Sequence, residues 1–167
     1  MSDQHFKAAS WSMSIKIMSL VGTAILLAIA LFVCYTFPEE APSYIPKLIT
    51  VLCLGTWFSC ILSIVKGFDI ENGEVVVHRP LWKNRIPFSS GAKAFQKKMP
   101  TALRLLGNGG LFSGSGWFWN KEIGVFHVFI TDPNKCVWVQ TPKKTIIISP
   151  EDPEGFIKAF TVHSMIR

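Results

Sequence analysis

Cysteine is scarce and poorly placed for cross-linking: Cys34, Cys53 and Cys60 fall in apolar runs, and only Cys136 lies in polar-patterned sequence. A disulfide framework is therefore excluded for the second half of the chain. No CxxC and no Cys/His ligand spacing occurs, so spacing alone gives no zinc site, and no metal or cofactor is expected. Acidic residues are absent between Glu74 and Glu122. Charge of either sign, and histidine with it, is absent from residues 17–37 and 48–65. A catalytic constellation is missing too. His78, His127 and His163 sit on separate segments with no nucleophile–base pair beside them, and His5 lies in the N-terminal lead. The expectation is a protein without catalysis.

The two uncharged runs are what the 167-residue chain has instead. They read IMSLVGTAILLAIALFVCYTF and LITVLCLGTWFSCILSIV. As helices they would extend about 32 Å and about 27 Å, the thickness of a bilayer's hydrocarbon core. Neither has the polar face that a soluble core helix needs. A cleaved leader does not fit, because Val33 precedes Cys34 where a lipoprotein site wants a small residue, and no small-x-small site precedes Pro38. Residues 1–66 thus read as an N-terminal tail and a two-helix transmembrane hairpin. Gly22 and Gly55 would let the helices approach closely. Pro38, Pro42 and Pro46 mark the loop between them. Lys7 and Lys16 precede the first span, Lys66, Arg79, Lys83 and Arg85 follow the second, and the loop carries Glu39 and Glu40. The positive-inside rule places both termini in the cytoplasm.

From residue 67 onward the pattern changes to short alternating strands. GFDIENGEVVVHRP reads as a hairpin turning at Asn72-Gly73. Lys83-Asn84 reads as another turn, and residues 92–96 and 102–106 as weaker strands. Residues 123–131 and 136–141 read as strands joined by the DPNK turn, with a further turn at Pro142-Lys143-Lys144 before TIIIS. Asp152 is a helix N-cap with Pro153 at the first helical position, and Phe156, Ile157 and Phe160 give one apolar face. The expected order is a meander of about seven antiparallel strands and then one helix.

This order resembles the bacterial pleckstrin-homology-like (PH-like) domains. The opening FDIENGEVVVHRPLWKNRIPF, with its Ile86-Pro87 pair, resembles the hairpin and strand with which those domains begin after transmembrane helices. GNGGLFSGSGWFW resembles their glycine-rich turn before an aromatic strand, and TIIISPEDPEGFIKAF their last strand and helix. The stretch GAKAFQKKMPTALR departs from the pattern. The resemblance covers residues 67–167 and implies a mainly-β barrel capped by a C-terminal helix. It further implies a bacterial inner-membrane protein whose cytoplasmic domain binds without catalysing. The basic phosphoinositide-reading motif of eukaryotic relatives is absent.

The net charge of +6 points to the anionic leaflet rather than to nucleic acid. Candidate lipid- or partner-binding residues are Arg79, Lys83, Arg85, Lys97, Lys98 and Arg104, with Trp117 and Trp119 because tryptophan favours membrane interfaces. The expected role is a membrane-anchored binding or scaffolding module contacting anionic headgroups, a partner protein, or both. One alternative is an accessory subunit of a larger membrane complex, assembled through Gly22, Thr23, Gly55 and Thr56. Another is a phosphate- or nucleotide-binding enzyme using the glycines of residues 107–116. That loop lacks the Lys and Ser/Thr of a P-loop and the helix that would follow it.

Overall fold

A computed structural model describes residues 4–36, 44–88, 91–142 and 144–165. The loop carrying Pro38, Glu39, Glu40 and Pro42, and Lys143 of the proposed turn, lie outside the described residues. The chain opens with strand β1 (Gln4–Lys7), which the sequence reading treats as part of a tail. Two helices follow, α1 (Met13–Thr36) and α2 (Tyr44–Leu62). Ser12 caps α1, its carbonyl accepting from Lys16 N at 3.0 Å. Pro46 is tolerated because it falls in the first turn of α2, where backbone N–H groups have no helical partner. Both helices turn apolar side chains outward, and no residue of α2 is buried. The helix α2 ends three residues short of Val65 because Val65 is drawn into the core of the sheet domain, where it is 3% exposed.

Neither glycine serves the close helix approach expected of it. A Cβ on Gly22 would lie 2.2 Å from Leu111 Cδ1, a residue of a distant loop, and among the described residues nothing lies within 4 Å of one on Gly55. The helices are instead linked by Trp57 Nε1 donating to Thr23 Oγ1 at 3.2 Å, and by a Cys34–Thr50 contact at 3.5 Å.

The remaining strands are β2 (Gly67–Glu71), β3 (Glu74–His78), β4 (Lys83–Pro87), β5 (Lys93–Gln96), β6 (Leu103–Gly109), β7 (Gly114–Asn120), β8 (Gly124–Ile130), β9 (Val137–Gln140) and β10 (Thr145–Ile148). Among the described residues they form a four-stranded sheet, β1-β2-β3-β4, and a six-stranded sheet, β5-β9-β10-β8-β7-β6. The expected closed barrel of about seven strands is therefore corrected to two open sheets of ten strands in all. The edge of β2 that a barrel would close is taken by β1, and β6 is left as an edge with a register shift between Arg104 and Leu106.

The Asn72-Gly73 turn forms as expected, with both residues at positive φ (46° and 77°). The turn expected at Lys83-Asn84 lies earlier: both residues pair in β4, and Arg79 N donates to Trp82 O at 3.0 Å to close the loop. The meander is also corrected. Between β8 and β9 comes β10, antiparallel to β9 but parallel to β8. Its run Ile146, Ile147, Ile148 is buried on both faces, which suits a central position rather than an edge.

One core lies between the sheets and under helix α3 (Pro153–Met165), holding Phe68, Ile70, Val75, Val77, Phe129, Ile146, Ile148, Phe156 and Phe160. Asp152 caps α3 as expected, Oδ1 accepting from Gly155 N at 3.0 Å. A second core covers the outer face of the six-stranded sheet, where Met99 and Ala102 of the β5–β6 connection pack on Phe118, Phe126 and Trp138. Phe160, fully buried and 4.5 Å from the Phe88 ring, joins helix to sheet. Phe160→Ala leaves a cavity that flanking strands cannot fill, and an expected loss of about 3–5 kcal/mol is checked by denaturant unfolding in micelles; a loss below 1 kcal/mol contradicts this packing.

Candidate functional site

The site is assembled where the β6–β7 hairpin meets the helices. Glycines at 107 and 116 face each other across it with φ of 115° and 138°. A Cβ on Gly107 would lie 2.3 Å from Ser115 O, and one on Gly116 2.1 Å from Leu106 O, so the two backbones cross at contact distance only as glycines. Beyond this crossing the tip folds on itself. Asn108 Oδ1 accepts from Gly110 N (3.3 Å) and Leu111 N (3.0 Å), and Asn108 Nδ2 donates to Leu111 O. Phe112 N donates to Ser19 Oγ of α1 at 2.7 Å, and Ser113 Oγ donates to Ser63 O just past α2 at 3.0 Å. The Phe112 ring packs against Trp11 and Trp57 (centroids 5.9 and 6.5 Å). These amides are committed within the chain, so they are not free to cradle a phosphate.

Behind the tip, alternation divides the strands. Phe118 faces the second core, while Trp117 and Trp119 face the opposite way with Leu103 and Leu106 as register partners. Val125, opposite Trp119, extends this face. Leu103, Leu106 and Val125 are exposed, as are Trp117 at 41% and Trp119 at 43%. The four-stranded sheet stops short of this strip, which leaves an apolar face of three adjacent strands running back from the helix contact.

The Trp117 ring lies over that of His127, tilted by 31° with centroids 3.4 Å apart. Burial, with the charges of Lys144 and Arg79, pushes the His127 imidazole down to about 4, so it stays neutral under its tryptophan. Beside it lies Arg79, half-buried, its guanidinium carbon 5.2 Å from the Phe129 ring and 5.5 Å from that of Trp82. Burial lowers the Arg79 pKa from its ordinary value.

The sequence-chosen residues are thus dispersed. Arg104, Trp117 and Trp119 share the β6–β7 hairpin, with Arg104 on the face of Phe118. Arg79 and exposed Lys83 flank the β3–β4 turn, near the foot of α2, where Lys66 N donates to His78 O at 2.9 Å. Arg85 is held near Glu71 (3.7 Å) and Glu74 (3.5 Å). Lys97 and Lys98 follow the far edge strand β5, with Lys97 Nζ 4.9 Å from the Trp138 ring. Sequence reasoning missed Leu81 and Trp82, exposed at 71% and 42% in the β3–β4 turn. Their signal is an apolar pair in a turn, where polar residues are the norm. Cys136 is chemically quiet: burial and the Asp132 charge push its thiol up to about 12, against a Met99 backbone hydrogen bond.

A model of the bacterial PH domain family matches residues 66–164 of the chain. No curated protein and no solved structure matches it. Domains of this kind are in general lipid- or protein-binding modules and typically non-catalytic.

Because His127 is depressed to about 4 from 6.5, the unfolded chain takes up a proton before the folded one as pH falls. Its contribution to stability is full above pH 6.5 and drains away towards pH 4. A His127→Asn variant is expected to flatten the fall in unfolding midpoint across that window; a slope equal to the parent's would refute the assignment.

Proposed function

The chain belongs to the bacterial PH domain family, and we propose that it is a membrane-anchored, non-catalytic binding module whose sheet domain lies against the cytoplasmic leaflet of a bacterial inner membrane. In this reading α1 and α2 cross the bilayer as a hairpin. Their length, their apolar composition and the small share of their residues that is buried support it, since a helix of that composition in a soluble protein is mostly buried. The basic residues flanking both helices support cytoplasmic termini.

The observation that carries the leaflet contact is the docking of the β6–β7 tip on the helices. Leu111 meets Gly22, six residues beyond Lys16 and so roughly 9 Å further along α1. The tip then sits just inside the apolar layer, where water is unavailable to unpaired amides. Its bonds to Asn108 and Ser19 supply partners there. The strip of Leu103, Leu106, Trp117, Trp119 and Val125 lies at headgroup level, with Leu81 and Trp82 as a second apolar prow. Lys66, Lys83 and Arg104 meet anionic headgroups, each contributing about 1 kcal/mol. Arg85, Lys97 and Lys98 contribute little to that contact, being paired or at the far edge.

The accessory-subunit reading keeps only part of its motif. Gly22 and Thr23 are occupied within the chain, whereas Gly55 opens on a cleft of about 620 Å³ lined by Val51, Leu52, Thr56 and Ser59.

The full chain reconstituted with lipids brominated near the headgroup is expected to show strong tryptophan quenching. A Trp117→Phe/Trp119→Phe double variant loses a clear share of the quenched signal, and more so in anionic than in zwitterionic bilayers. Residual quenching equal to the parent's would place these rings away from lipid, and release of the protein by carbonate would remove the anchor itself.

A further inference from the structure

The outer face of the four-stranded sheet carries a side-chain group that the membrane reading leaves unused. Phe68, Ile70, Val75 and Val77 point into the core, so Asp69 and His78, on alternate positions of β2 and β3, point outward. Phe6 of β1 packs on Phe156, which turns His5 outward as well. The register sets His5 opposite Asp69, and His78 diagonal to it across Gly67. His5 Nδ1 meets Asp69 Oδ1 at 2.5 Å, and His78 Nε2 bonds the other carboxylate oxygen. One potential ligand atom from each of the three residues lies within 4.8 Å of the others.

The surroundings fit a built site. The Asp69 and His78 side chains are 11% and 21% exposed and His5 is 58% exposed, so two ligands are sunk and the third stands at the mouth. Val76, fully buried, walls one side. Gly67 makes room for the His5 ring, since a Cβ there would lie 2.9 Å from His5 Cε1. Arg85, across Val76, is taken up by Glu71 and Glu74. Lys7 and Lys83 lie on the same face in the next register row, and their charge moderates affinity without occupying the carboxylate.

We propose that His5, Asp69 and His78 form a binding site for a divalent transition-metal cation of the zinc, cobalt and nickel class. Two imidazoles and one carboxylate are the donor set those borderline ions take, and three protein ligands leave a coordination position for water. Each imidazole needs only to carry its proton on the other ring nitrogen to present a lone pair. The Nδ1–Oδ1 separation must widen for a cation to enter, which the exposed His5 ring on a terminal strand can do by rotating. The bound ion would join β1, which precedes α1, to β2 and β3, which follow α2. It would act as a clasp at the feet of the helix pair, whatever medium the helices occupy.

The test uses the full chain in detergent micelles, titrated with Zn²⁺ by calorimetry and with Co²⁺ by visible absorption. One equivalent is expected to bind, with the d–d band of a four-coordinate cobalt site. Zn²⁺ raises the unfolding temperature and slows amide exchange in β1. His5→Gln, at an exposed position that leaves the fold intact, lowers affinity at least tenfold and abolishes the thermal shift. Cys34→Ser and His163→Gln leave both unchanged. Absence of saturable binding, or His5→Gln binding as the parent does, overturns the proposal.

Discussion

Strand β1 pairs antiparallel with β2, and the helix hairpin is inserted in the chain between these two strands. Neighbouring strands are about 4.8 Å apart, so entry into α1 and exit from α2 are held side by side on one sheet. The lead into α1 is stitched down further. Ala8 N donates to Lys66 O at 3.1 Å, Ala9 N to Ser149 O at 2.8 Å, and Ser12 N to Thr131 O at 3.1 Å. Thr131 and Ser149 are buried polar residues, and they find partners in each other and in Ala9 O, which Thr131 Oγ1 reaches at 2.6 Å. An extended chain leaving α2 could have hung the sheet domain at any angle. With both helix ends fixed to the same sheets, the domain's orientation follows from the fold.

That fixed orientation gives the glycine-rich segment its purpose. A hairpin tip lying along two apolar helices meets two demands at once, close approach and full hydrogen bonding. The Gly107–Gly116 crossing answers the first, and the Asn108 turn with Ser19 answers the second. The same residue types that suggest an anion cradle in isolation are here consumed by internal bonds. What decides between the readings is where the amides go, which glycine content alone does not reveal.

Much of this was legible from residues. The two helices, the Asn72-Gly73 hairpin, the Asp152 cap and the strands near Gly124–Ile130 and Val137–Gln140 follow from local rules of period, turn chemistry and capping. The misreadings share a physical cause, since each turns on a long-range choice. Strand β1 is four residues long and lacks an alternating apolar pattern; it forms because β2 offers an edge. The insertion of β10 between β8 and β9 depends on burial of both faces of an isoleucine run, and a meander would have satisfied the same local signals. His5 and His78 are remote in sequence, so no motif spacing could join them to Asp69. Trp117 and Trp119, two residues apart on one strand, necessarily share a face, whereas the basic residues have only their type in common and the register scatters them.

The scattering bears on how the domain would hold a leaflet. Burying a Leu or similar side chain is worth about 1.5–3 kcal/mol, whereas each basic residue near an anionic surface adds about 1 kcal/mol within a Debye length of about 8 Å. Arg79 is half-buried against Phe129, Arg85 has carboxylates for company, and Lys97 and Lys98 lie at the opposite sheet edge from β6. Lys66, Lys83 and Arg104 stand exposed near the helix feet, and the exposed strip Leu103, Leu106, Trp117, Trp119 and Val125 is an apolar face of three adjacent strands. In the proposed membrane-bound arrangement, the summed apolar terms outweigh charge in fixing the domain's depth. In the same proposed arrangement charge selects the leaflet, which suits a net-positive chain whose acidic residues lie outside residues 75–121.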